Sequence, residues 1–132
     1  AFRKNAIEEF QVIKFANKGS SSHTANMKLP DGRLLANAKE FIHSLPCFGI
    51  VERFNESIDL FERALPAEFP RIKFEKSVRA NSLQDPSLSL DEKYEAVHQE
   101  LGDELFQQVI LRNQMDIKLY HYALGLFDRA LG

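Results

Sequence analysis

The five residues Cys47-Phe48-Gly49-Ile50-Val51 constrain this chain more than any other stretch. They carry no charge and end in two β-branched side chains, the pattern of a short strand buried on both faces. A strand cannot stand alone, because its backbone N–H and C=O groups need partners. Yet the sequence on either side reads as helix. Leu34, Leu35, Ala38, Phe41, Ile42 and Leu45 form a helical stripe that stops before Pro46. Ile58, Phe61 and Leu65 form another, with Asn55 as its expected cap. The expectation is a helix–strand–helix unit of an α/β layer whose neighbouring strands are unrecognised in this sequence, lie outside the chain or come from another copy. Glu52 and Arg53 fall at the carboxyl end of that strand, where open α/β sheets bind ligands. A strand-end salt bridge and a functional pair are both open readings of them.

The size, 132 residues, suits one domain or a fragment of one. A net charge of −2 argues against broad attraction to nucleic acid or membrane. Eleven Phe and no Trp point to a phenylalanine-rich core. The single cysteine, Cys47, excludes an internal disulfide and reads as a small buried hydrophobe. No run approaches about 18 apolar residues, so no membrane span is expected, and no secretory signal pattern opens the chain. The first Met is Met27, and residues 1–15 read as the middle of a domain. A fragment or a processed product is therefore expected.

In chain order, Asn5-Ala6-Ile7-Glu8 has the form of a capping box opening a helix to about Asn17. Residues 18–33 read as a flexible loop rich in Gly and Ser, containing His23. Residues 34–132 hold the helix–strand–helix core and C-terminal helices. Between Pro70 and Ser82 lies a basic stretch with Arg71, Lys73, Lys76 and Arg79, interleaved with Ser77, Asn81 and Ser82. Charge plus hydroxyl and amide groups suits a phosphate, and a solvated basic loop is the competing reading. Ser89-Leu90-Asp91-Glu92 is a capping box, Gly102-Asp103 breaks the helix it starts, and Asn113 ends one helix or caps the next. The last helix is expected from Asp116, with Ile117, Tyr120, Leu124, Phe127 and Leu131 as its buried stripe. None of His23, His43, His98 and His121 sits in a metal or nucleophile pattern, so no metal site is expected.

A combination of strings carries a resemblance. Phe48-Gly49-Ile50-Val51-Glu52-Arg53-Phe54-Asn55-Glu56-Ser57, then Ala64-Leu65-Pro66, then a Lys76-Ser77 or Asn81-Ser82 loop, then Arg112-Asn113-Gln114-Met115-Asp116-Ile117-Lys118-Leu119-Tyr120-His121-Tyr122-Ala123 resemble the C-terminal half of a sulfotransferase of the heparan sulfate 2-O-sulfotransferase-like group, bacterial type. Asn113, Asp116, Leu119, Tyr120 and Ala123 fit that group's final-helix spacing, and the resemblance covers about Leu34 to Leu131.

The resemblance implies an α/β, P-loop-like sulfotransferase fold, of which this chain supplies the C-terminal portion, mostly helical with one or few short strands. It implies transfer of a sulfuryl group from 3′-phosphoadenosine 5′-phosphosulfate to a hydroxyl or amine, with a carbohydrate or small molecule as acceptor. It places the donor-binding loop upstream, so the chain is expected to be inactive alone and to need its missing N-terminal half or another copy. Lys76, Ser77, Arg79, Asn81 and Ser82 are the expected nucleotide contacts, and no catalytic base is assigned. A cytoplasmic, bacterial setting goes with it. A helical interaction module that self-associates, with no chemistry, is the alternative.

Overall fold

A computed structural model describes residues 8–17, 30–74 and 88–132. The expected nucleotide contacts Lys76, Ser77, Arg79, Asn81 and Ser82, together with His23 and Asn5, lie outside the described residues. The elements are α1 (Phe10–Ala16), α2 (Asp31–Ser44), a 3₁₀ turn (Val51–Arg53), α3 (Phe54–Ala64), α4 (Leu90–Leu101), α5 (Asp103–Arg112) and α6 (Gln114–Leu131). The chain is thus mostly helical, and no strand occurs among the described residues. No described helix is long and apolar enough to cross a membrane. The chain divides into two compact units, one of Ala1–Pro46 and Ile110–Ala130 with Gly132, the other of Cys47–Val109 with Leu131.

The first unit holds the deepest packing: Val12, Ile13, Leu34, Leu119 and Phe127 are its fully buried large side chains. Leu34, Ala38 and Ile42 recur every four residues and form the inner face of α2. The α2 helix starts at Asp31, three residues before the first residue of the expected stripe, immediately after Pro30. On α6 the buried stripe is Met115, Leu119, Ala123 and Phe127. Of the stripe expected there, only Phe127 is buried; Ile117, Tyr120, Leu124 and Leu131 are half-buried. This helix is apolar around much of its circumference, so spacing alone left its phase ambiguous by one residue. Phe15 of α1 stacks on Phe41 of α2 at 6.0 Å, and Lys39 sits over the Tyr122 ring, 5.1 Å from its centroid.

In the second unit, the expected strand does not form. Residues 47–50 are irregular, Ile50 has extended backbone angles, and the chain then enters the 3₁₀ turn. The cause is a local side chain. Ser57 Oγ accepts from the Ile50 N–H at 2.9 Å and lies 3.1 Å from the Ile50 carbonyl and 2.9 Å from that of Arg53. One hydroxyl thereby serves the Ile50 backbone in place of a neighbouring strand. Val51, expected inside, is 86% exposed, whereas Ile50 is buried. The capping expectation at Asn55 also fails: α3 begins at Phe54, with Arg53 as its cap position and no side-chain cap bond. The Ser89–Glu92 capping box is present in full, with Ser89 N–H donating to Glu92 and Glu92 N–H donating back to Ser89 Oγ. Those bonds lower the Glu92 carboxyl below its ordinary value. Gly102 ends α4, and α5 starts at the next residue.

Candidate functional site

The described residues bring polar groups together at three places, and two of them contain the strings quoted above. The first lies where α1 and α6 begin. Glu9 precedes α1 with φ 52° and ψ 33°, the left-handed region that a non-glycine residue enters only when held there. Three contacts hold it. Its N–H donates to Asn113 Oδ1 at 3.1 Å, while its carboxylate accepts from the N–H groups of Met115 at 3.0 Å and Asp116 at 2.8 Å. Those two amides belong to the first turn of α6, where helix donors lack intrahelical partners. The Asp116 carboxylate returns the favour, accepting from Gln11 at 3.1 Å and Val12 at 2.7 Å in the first turn of α1. Each helix start is thus closed by a carboxylate from the other, and each negative charge meets the positive end of a helix dipole. Glu9 is 5% exposed, and Arg112 pairs with Glu8 at 3.1 Å beside it.

The second place is the turn before α3. Arg53 makes a two-pronged pair with Glu56, Nε to Oε2 at 2.6 Å and a terminal nitrogen to Oε1 at 2.7 Å. The structure thereby partners Arg53 with Glu56. Glu52 is exposed. A Cβ placed on Gly49 would lie 2.9 Å from Ser57 Cβ and 3.0 Å from Phe61 Cζ, so a glycine is needed for the approach. Burial pushes the Cys47 thiol above its ordinary value, which disfavours the nucleophilic thiolate.

The third is the corner between α4 and α5, where His98, Asp103 and Phe106 meet. An open concavity of about 450 Å³ beside it is lined by Leu101, Gly102, Asp103, Glu104, Leu105 and Gln108. It contains two carboxylates and no cation, so it does not fit an anionic nucleotide. His43 and His121 are exposed on α2 and α6. Among the described residues, no group of three or more His, Cys, Asp or Glu side chains is arranged to hold a metal ion.

Sequence reasoning missed Glu9 and Ser57 as keystones. A signal was present for the first: paired acids opening one apolar helix, and Asn-x-x-Asp opening another, are complementary capping patterns. For Ser57 no local pattern linked a mid-helix serine to a segment seven residues upstream.

A protein of Archaeoglobus fulgidus described as uncharacterized is 26% identical over 121 residues, 92% of this chain and 45% of that protein. The chain therefore spans less than half the length of this relative. No family model matches, and no solved structure does either.

Proposed function

We propose that this chain is the C-terminal portion of a sulfotransferase that moves a sulfuryl group from 3′-phosphoadenosine 5′-phosphosulfate to a hydroxyl or amine acceptor, and that it is incompetent alone. The observation carrying this reading is where the resembling residues fall. Asn113 and Asp116 each accept a backbone bond from the N-terminal segment, and Gly49, Arg53, Glu56 and Ser57 build one close turn. The matches therefore fall on helix caps and turn bonds with defined local roles. A relative more than twice as long is consistent with a larger catalytic unit. The nucleotide contacts are assigned to Lys76, Ser77, Arg79, Asn81 and Ser82, which lie outside the described residues. No step of the transfer is assigned to a residue of this chain.

The test is calorimetric titration with adenosine 3′,5′-bisphosphate of this chain and of a polypeptide extended upstream of Ala1. Binding by the longer polypeptide alone is expected. Absence of binding in both refutes the sulfotransferase reading, and binding by the shorter chain refutes its incompetence. In the longer polypeptide, Arg79→Ala is expected to weaken binding by about 1–3 kcal/mol, the scale of a hydrogen bond to a charged group.

A second reading, a self-associating helical module without chemistry, is favoured by one feature of the second unit. Neither α4 nor α5 has a fully buried residue, while Tyr94, Leu105 and Val109 are exposed.

A further inference from the structure

We propose that α5 pairs antiparallel with α5 of a second copy of this chain, about a two-fold axis at Gln108. The pairing rests on the self-association reading above and gives it a surface, a partner and an orientation. Within α5, Phe106 and Ile110 are four residues apart and half-buried, and Phe106 stacks on His98 with centroids 4.4 Å apart. These two form the inner face of the helix, and the rest of α5 is exposed. The exposed part includes two leucines, Leu105 at 48% and Leu111 at 62%. Apolar surface in water stabilises an interface once it is covered.

The charges choose the occupant. Asp103 and Glu104 lie in the first turn of α5 and Arg112 in its last. A parallel copy would set acid on acid and base on base, whereas an antiparallel copy sets acid on base at both ends. About an axis at Gln108, residues equally far before and after it come opposite one another. Glu104 therefore meets Arg112 of the second copy, Leu105 meets its Leu111, and the axis repeats both contacts. Glu104 and Arg112 are about 12 Å apart along α5, at a rise of about 1.5 Å per residue, so the two ion pairs bracket the leucines. Arg112 gives one terminal nitrogen to Glu8 at 3.1 Å, and its remaining N–H donors serve the second carboxylate. The open concavity lined by Glu104, Leu105 and Gln108 leaves room for the incoming Leu111 and Arg112. A contact one short helix wide is smaller than a permanent interface, so the dimer is a weak one that forms as concentration rises.

Sedimentation equilibrium of the full chain tests the pairing. The parent's mass is expected to rise towards that of two chains with concentration. Glu104→Arg turns both attractions across the axis into repulsions, and so does Arg112→Glu. Each is expected to weaken association about fivefold, the scale of two exposed ion pairs. An equimolar mixture of the two variants is expected to associate at least as well as the parent, because every pair across the axis is again opposite in sign. That rescue also shows that both variants are folded. Single variants that associate like the parent, or a mixture no better than its components, overturn the pairing and leave self-association standing. A parent that stays one chain at every concentration overturns both. Slower amide exchange at Leu105 and Leu111 in the polypeptide extended upstream would then assign this face to the rest of the polypeptide.

Discussion

Ser57 is a small residue with a large local effect. Its hydroxyl, 3% exposed with the rest of the residue, stands in for a strand partner at Ile50 and ties the extended segment to α3. Ser57→Ala leaves the Ile50 N–H without that acceptor, and the cost is expected to be about 1–3 kcal/mol. Gly49→Ala forces a methyl against Ser57 Cβ and Phe61, an overpacking cost of about 1–3 kcal/mol. Thermal unfolding followed by far-ultraviolet circular dichroism reads both; midpoints equal to the parent's would show that the turn carries no stability. This residue also marks where sequence reading stops. Cys47–Val51 has the composition of a strand, and nothing in those five residues reveals that a serine seven positions beyond Ile50 takes its backbone bonds.

At the scale of elements, the legible features are those whose partners lie within one turn of each other. The capping box of α4 is written in four consecutive residues, and the break at Gly102 in one. Apolar spacing starts α6 at Asp116, two residues after its true start at Gln114, and its closure is not legible, because the acceptor Glu9 is more than 100 residues away in sequence. The mutual capping makes a sharp prediction. Asp116→Ala removes the acceptor for Gln11 and Val12, and Glu9→Ala removes that for Met115 and Asp116. Each is expected to cost about 1–2 kcal/mol, the range of a lost helix cap. Because the two sites share one set of contacts, the double variant should cost less than the sum of the singles. Faster exchange at Met115 in the Asp116→Ala chain would show the coupling directly; strict additivity would show two independent caps.

For the whole molecule, the two units differ in how much apolar surface they enclose. Among the described residues, the five largest fully buried side chains all belong to the first unit. The second relies on Ile50, Ile58 and Leu60, and leaves Phe54, Phe69, Tyr94, Leu105 and Val109 exposed. If self-association is the purpose of that surface, light scattering should give a mass that rises with concentration, and Leu105→Glu with Val109→Glu should return it to that of one chain. A constant mass equal to one chain would remove the interaction-module reading and leave the sulfotransferase reading untouched. The overall helical content was readable from apolar spacing, whereas the division into units was not, since it depends on which distant segments pack together.

The crossed carboxylates of Glu9 and Asp116 have a practical corollary for anyone shortening or fusing the polypeptide. Cutting away the first nine residues would unstop the amides that open the final helix, so damage inflicted at one extremity should be felt at the other. A label or appended domain joined ahead of Glu8 would, by the same token, be anchored beside the root of that helix.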